Sequence, residues 1–152
     1  MEADAQLVQH MMSPQNYGEM KDNDATGMGK NPKNGEKVAI YLKVKKEEEL
    51  TIEDISFQAI GCTTTIVAGS IITSEAKGIT FSRARELVSI TLGMLDNVPP
   101  EDAACTEMVA IALSAALDTY LKREEDSDYP MISYLIETDC TPKEEGDDAP
   151  TI

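Results

Sequence analysis

Tryptophan is missing from this chain, and aromatic residues make up only 5% of its 152 residues. A core must therefore rest on Ile, Val, Leu, Ala and Met, and a 41% share of hydrophobic residues is enough to build one. The length fits one domain at the usual ~100–200 residues each. His10 is the single histidine, which rules out a poly-histidine metal site and leaves little for histidine-based catalysis. The three cysteines, Cys62, Cys105 and Cys140, are too few for a disulfide framework. Basic residues are scarce, 13 against 28 acids, for a net charge of −15. Such a chain repels phosphate backbones and anionic membrane surfaces, so nucleic acid and lipid are poor partners. No apolar run reaches the ~18 residues of a membrane span. The start, Met1 to Gln6, has neither a basic n-region nor an apolar h-region, so a cytoplasmic protein is expected.

The acid is concentrated at one end. Residues 124–152 hold ten Asp and Glu against Lys143 alone. A single domain over 1–140 is expected, followed by a flexible acidic tail over 141–152. Leu7, Val8 and Met11 fit one side of a short helix that Pro14 ends. Residues 13–36, crowded with Gly, Asn and Pro, read as a long loop or weakly paired edge, with Gly27-x-Gly29 as loop punctuation. Val38, Ile40, Leu42 and Val44 then alternate with polar or small residues, as do Ile55, Phe57 and Ala59, which predicts an antiparallel hairpin with one buried face.

Helices follow. Thr63 to Ala76 carries Ile66, Val67, Ile71 and Ile72, and Gly78 is a natural stop. Thr80 or Ser82 caps the next helix, with Ala84, Leu87, Val88 and Leu92 expected inward. A long helix after Pro99-Pro100 has Met108, Val109, Ala112, Leu113, Ala116 and Tyr120 on its apolar side, and residues 129–136 suggest a short docking helix. The fold class expected is α+β, a small antiparallel sheet with helices packed on one face.

Two thiols stand at helix starts: Cys62 directly after a strand and Gly61, and Cys105 near the beginning of the long helix. The positive end of a helix dipole lowers a thiol's pKa, and thiolate is the form that binds metal. Glu36 precedes the first hairpin strand, so hairpin geometry puts it at the same sheet end as Cys62. By spacing alone, two cysteines this far apart read as small buried hydrophobes. Packing or a surface position is the ordinary role for His10.

Four segments carry a resemblance. Gln9-His10-Met11-Met12-Ser13-Pro14-Gln15-Asn16 resembles His-Phe-x-x-Pro-x-Asn. Asn31-Pro32-Lys33-Asn34-Gly35-Glu36 resembles Asn-Pro-x-Cys-Gly-Asp. Ile55 to Cys62 resembles a strand ending in Phe-Gly-Cys, and Val98-Pro99-Pro100-Glu101-Asp102-Ala103-Ala104-Cys105 resembles Leu-Pro-Pro-x-Lys-x-His-Cys. Together, in this order, they are similar to the U-type iron–sulfur cluster scaffold family, the IscU proteins and the N-terminal domain of NifU. That family holds a cluster or zinc with three cysteines and an Asp, helped by a His. Here Asn34 replaces the first cysteine, Glu36 the Asp and Ala104 the His. Asp102 replaces the lysine of the chaperone-recognition segment, which argues against binding of the usual heat-shock chaperone.

The resemblance implies a non-enzymatic iron–sulfur cluster scaffold or carrier, with a labile cluster such as [2Fe–2S] on solvent-near thiolates. Cys62, Cys105 and Glu36 are the implied ligands, Asn34 and His10 accessories, and Cys140 a thiol outside the site. The implied partners are a cysteine desulfurase and recipient apoproteins, and a homodimer would supply four thiolates. Two alternatives stand beside it. One is a homologue without a cluster, acting as an adaptor or regulator of the assembly machinery. The other is a zinc protein using Cys62, Cys105, Glu36 and a water or Asn34.

Overall fold

The computed structural model describes residues 16–33, 35–60, 63–95 and 100–136. The expected N-terminal helix and acidic tail lie outside them. In chain order the elements are β1 (Ala25–Lys30), β2 (Lys37–Lys46), β3 (Leu50–Ile60), α1 (Thr63–Ala76), α2 (Phe81–Gly93), α3 (Pro100–Glu125) and β4 (Ile132–Leu135). The strands form one sheet in the order β3-β2-β1-β4. The helices cover one face of it, α3 over β1 and β2, α1 and α2 against β3. The fold is α+β as expected.

β2 and β3 pair antiparallel, with Leu42 opposite Ile55, Ile40 opposite Phe57 and Val38 opposite Ala59. Strand side chains alternate between faces, so these residues all point towards the helices. Ile52 and Ile55, three apart, should face opposite ways, yet both are buried. A register shift between Lys43 and Val44 resolves this: Lys43 pairs with Asp54 but Val44 with Ile52, leaving Glu53 as the extra residue of a bulge. Phe57, Ile40, Leu42, Met108, Leu113 and Leu117 are 0% exposed and form the centre of the core. The outer edge of β3 is covered by residues 16–18: the Gly18 amide donates to the Phe57 carbonyl at 2.8 Å, and the Phe57 amide donates to that of Asn16 at 2.9 Å.

Four expectations are corrected. First, the presumed loop over 13–36 contains β1, an interior strand between β2 and β4. Its inward residues are Ala25, Gly27 and Gly29, so it shows no hydrophobic alternation to read. The two glycines are a packing device: a Cβ at Gly27 would lie 2.0 Å from the Ala116 amide nitrogen, and one at Gly29 2.2 Å from the Met108 carbonyl oxygen. The backbone of α3 takes the space that side chains would fill. Second, residues 129–136 hold no helix. Ile132–Leu135 is β4, pairing parallel to β1, which makes the sheet mixed. Pro130 disfavours helix for Tyr129 before it, and the edge of β1 offers unpaired backbone groups to the Ile132–Leu135 segment.

Third, Leu92 is 37% exposed; the buried stripe of α2 runs through Phe81, Ala84, Val88 and Thr91. Its start does follow expectation, with Thr80 accepting from the Arg83 amide at 3.2 Å. Fourth, Ala103–Glu125 is long and apolar enough to cross a membrane by length and composition. With 67% of its apolar window buried inside the fold, it is the central core helix.

Tyr120, on this helix, packs edge-on against Phe81 with ring centroids 5.6 Å apart. Burial first, and then its hydrogen bond to the Glu124 carboxylate, push its phenol up to about 12. An unfolded tyrosine titrates near 10. The stabilisation from neutral Tyr120 is therefore full below about pH 10 and is lost as the pH rises through about 12. Thermal melts across pH 8 to 12 are expected to hold steady to about pH 9.5 and then fall, less steeply for Tyr120→Phe. An equally steep fall in that variant counts against the assignment.

Candidate functional site

One end of the sheet gathers several chain segments. As β1 runs from Gly27 to Gly29, the helix residues it touches run from Ala116 back to Met108. α3 is thus antiparallel to β1, and its early turns stand over the C-terminal end of that strand. Cys105, three residues before Met108, lies there and is 6% exposed.

From Lys30 the chain makes a tight loop to Glu36. Asn31, 2% exposed, organises it. Its amide donates to the Glu36 carbonyl at 2.8 Å, its carbonyl accepts from Gly35 at 3.0 Å, and its side-chain oxygen accepts from the Lys33 amide at 3.0 Å. Gly35 sits at φ +78°, a conformation that other residues adopt at a cost. Sequence reading missed the role of Asn31, although an Asn-Pro pair is a turn-starting signal.

β2 starts at Lys37, opposite Ile60, the last residue of β3. Gly61 and Cys62 follow outside the described residues, and α1 begins at Thr63. Thr64 in the first turn of α1 and Thr106 in α3 line a common groove, so the starts of the two helices are neighbours. The structure thereby brings half-buried Glu36 and buried Ala104 and Cys105 to this end of the sheet. Asn34 lies outside the described residues, between Lys33 and Gly35 of the loop. His10 and Cys140 also lie outside them. Among the described residues, no three His, Cys, Asp or Glu side chains gather as a metal centre.

Two features differ from expectation. Cys105 is not on a solvent-near rim but buried, and it is the sixth residue of α3 rather than at its tip. A helix dipole acts mainly within the first turn, and the sixth residue lies beyond it. Ala104 is 2% exposed, a packed methyl where the family pattern has a histidine. Glu107, 9% exposed, is a buried carboxylate two residues beyond Cys105 that the sequence reading passed over; an acid inside an apolar stripe was its signal.

The burial of Cys105 has a direct readout. In the apoprotein its alkylation by iodoacetamide, followed by peptide mass spectrometry, is expected to run at least about tenfold slower than in urea, since a packed thiol reacts mainly through opened states. Equal rates would mean that the start of α3 is open.

Comparison with known proteins bears on the family and the fold. Residues 2–127 match the model of the NifU-like N-terminal domain. A protein of Archaeoglobus fulgidus named iron–sulfur cluster assembly scaffold protein IscU 1 is 36% identical over 121 residues, covering 77% of this chain and 75% of that one. The Escherichia coli K12 protein named scaffold protein IscU is 27% identical over 122 residues, covering 78% and 94%. Among solved structures, a protein of Fervidobacterium islandicum AW-1 described as an iron–sulfur cluster assembly scaffold for the SUF system superposes with a TM-score of 0.63 at 18% identity, over 74% of this chain and 93% of that one. The N-terminal part of a NifU-like protein from Brucella abortus gives 0.62 at 15%, over 78% and 93%; at these identities the two structures speak for the fold. With its sheet, its three helices and most of its length accounted for in this way, the chain belongs to the family of NifU-like N-terminal domains.

Proposed function

We propose that this protein is an iron–sulfur cluster assembly scaffold or carrier, with the cluster as its cargo, held at the sheet end described above. The observation that carries the reading is the family match over residues 2–127. The convergence of Cys105, Glu36 and the 31–36 loop at one sheet end supports the location. Cys62 and Cys105 serve as the thiolates and Glu36 as an oxygen donor, with Asn34 and His10 as accessories. A cysteine desulfurase supplies sulfur, apoproteins receive the cluster, and the work takes place in the cytoplasm. No step of this role requires the chain to act as an enzyme. The heat-shock chaperone is not among the partners, because Asp102 places a negative charge where the recognition segment carries lysine.

Two thiolates per chain are few. A [2Fe–2S] cluster takes four protein ligands, and a two-fold dimer supplies four sulfurs without new residues. Glu36 and Asn34 within one chain are harder donors than cluster iron prefers; two thiolates with oxygen donors suit zinc better, though weakly. The test is anaerobic reconstitution with iron and sulfide, followed by native mass measurement and metal counting. The expected product is a dimer with one cluster, formed from a weakly associating acidic apoprotein. A cluster-loaded monomer overturns the bridged site. A chain that takes up neither iron nor sulfide has the adaptor role, the reading that the packed Ala104 favours, since that position offers no ligand.

A further inference from the structure

The sheet face turned away from the helices carries an unusual row at the same end. Lys30 of β1 lies directly opposite Lys37 of β2. Lys37 lies opposite Ile60, and Lys30 beside Leu135. Two lysines thus occupy the middle of the row, between two apolar residues that are 61% and 59% exposed. Like charges directly opposite each other across strands are destabilising. Among the described residues no carboxylate lies within ion-pair distance of either lysine. The other end of this face differs: Lys43 pairs with Asp22 at 3.6 Å. Beside the lysine row is a shallow pocket of about 270 Å³, lined by Met28, Lys37, Ala39, Tyr41, Gln58 and Ile60. In a chain with a net charge of −15, an unmatched pair of lysines singles out this spot as one that receives an acid.

The acid is close at hand. β4 runs parallel to β1, so the chain leaves the described structure at the lysine end: the Ile136 amide donates to the Lys30 carbonyl at 2.9 Å. The next sixteen residues, 137–152, contain Glu137, Asp139, Glu144, Glu145, Asp147 and Asp148 against Lys143. From Leu135 to Lys37 is a step of two strands, about 10 Å at ~4.8 Å per strand, and three or four extended residues cover it. Tethering keeps the effective concentration of such a segment in the millimolar range, which populates contacts that would be weak between separate molecules.

We propose that the acidic C-terminal segment 137–152 is the occupant of this face, lying across the Lys30–Lys37 row and neutralising it within the same chain. It serves as a built-in competitor. An acidic partner approaching the open face beside the 31–36 loop has to displace it, so the face is reserved for partners that bind more strongly than the tail. The inference rests on the strand register and the charges, and it holds whether or not a cluster is carried.

The test is zero-length carbodiimide crosslinking of the full-length apoprotein at low salt, read by peptide mass spectrometry on an equal mixture of isotope-labelled and unlabelled chains. The Lys43–Asp22 pair serves as the internal positive control. The expected result is crosslinks from Lys30 or Lys37 to acids of 137–152 within single chains, reduced at least fivefold in 0.5 M salt. Cleavage of the tail by a Glu-specific protease is expected to accelerate at least fivefold in Lys30→Glu/Lys37→Glu, whose substitutions lie on the open face away from the core. Control crosslinks without any from Lys30 or Lys37 to the tail overturn the proposal. So do crosslinks found only between labelled and unlabelled chains, which would make the occupant a second copy, and so does an unchanged cleavage rate. None of these readouts depends on iron, so their failure leaves the scaffold reading untouched.

Discussion

Gly27→Val is expected to prevent folding or to lower stability by more than about 3 kcal/mol, at the upper end of overpacking costs. A Cβ at this position would sit 2.0 Å from the Ala116 amide nitrogen and 2.4 Å from the Ala115 carbonyl carbon. Both are backbone atoms of a helix that is packed on the sheet along its length, so the clash cannot be relieved by turning a side chain. The whole of α3 would have to lift from β1, exposing Met108, Leu113 and Leu117. Gly29→Val should behave alike, because Met108 carbonyl oxygen blocks its Cβ at 2.2 Å. Gly93→Ala is the contrast: nothing lies within 4 Å of its Cβ, and alanine in a helix gains up to ~1 kcal/mol over glycine. Urea unfolding of the three variants checks the set. If Gly27→Val unfolds at the wild-type midpoint, the close approach of helix and strand is wrong.

Loss of cargo is the second large effect. Cys62→Ser and Cys105→Ser are each expected to lose more than about 90% of the iron and sulfide retained after anaerobic reconstitution and desalting, because thiolate is the donor that cluster iron selects. Cys140→Ser is expected to keep it. Serine at the buried position 105 also changes packing, so urea midpoints are measured alongside. A Cys105→Ser protein that is folded and fully loaded removes this residue from the site. A Cys140→Ser protein that fails to load would add a third thiol to it.

The hairpin, the three helices and the family pattern could be read from residues, because in each the burial is done by side chains. Val38, Ile40 and Leu42 alternate, and a strand with one buried face follows from that alone. Met108, Val109, Leu113 and Leu117 recur at helical spacing, and α3 follows. Thr80 and Gly78 mark ends through local hydrogen bonding and backbone freedom, which require no knowledge of the rest of the chain. Of the candidate site, Glu36 and Cys105 were legible from the motifs that contain them.

Contacts between distant segments settled what was left. β1 buries Ala25, Gly27 and Gly29, and the apolar surface covering it belongs to α3, some eighty residues along the chain. β4 is four residues long and mostly exposed; it is a strand because the edge of β1 supplies its hydrogen-bond partners, a condition no local pattern records. The burial of Cys105 and the meeting of Lys30 with Lys37 are likewise facts of register and helix placement. A sequence states which side chains seek burial or carry charge. It does not state which backbone will come close enough to make a glycine necessary, or which two lysines will be left facing each other. Those are properties of the assembled sheet and helix layer.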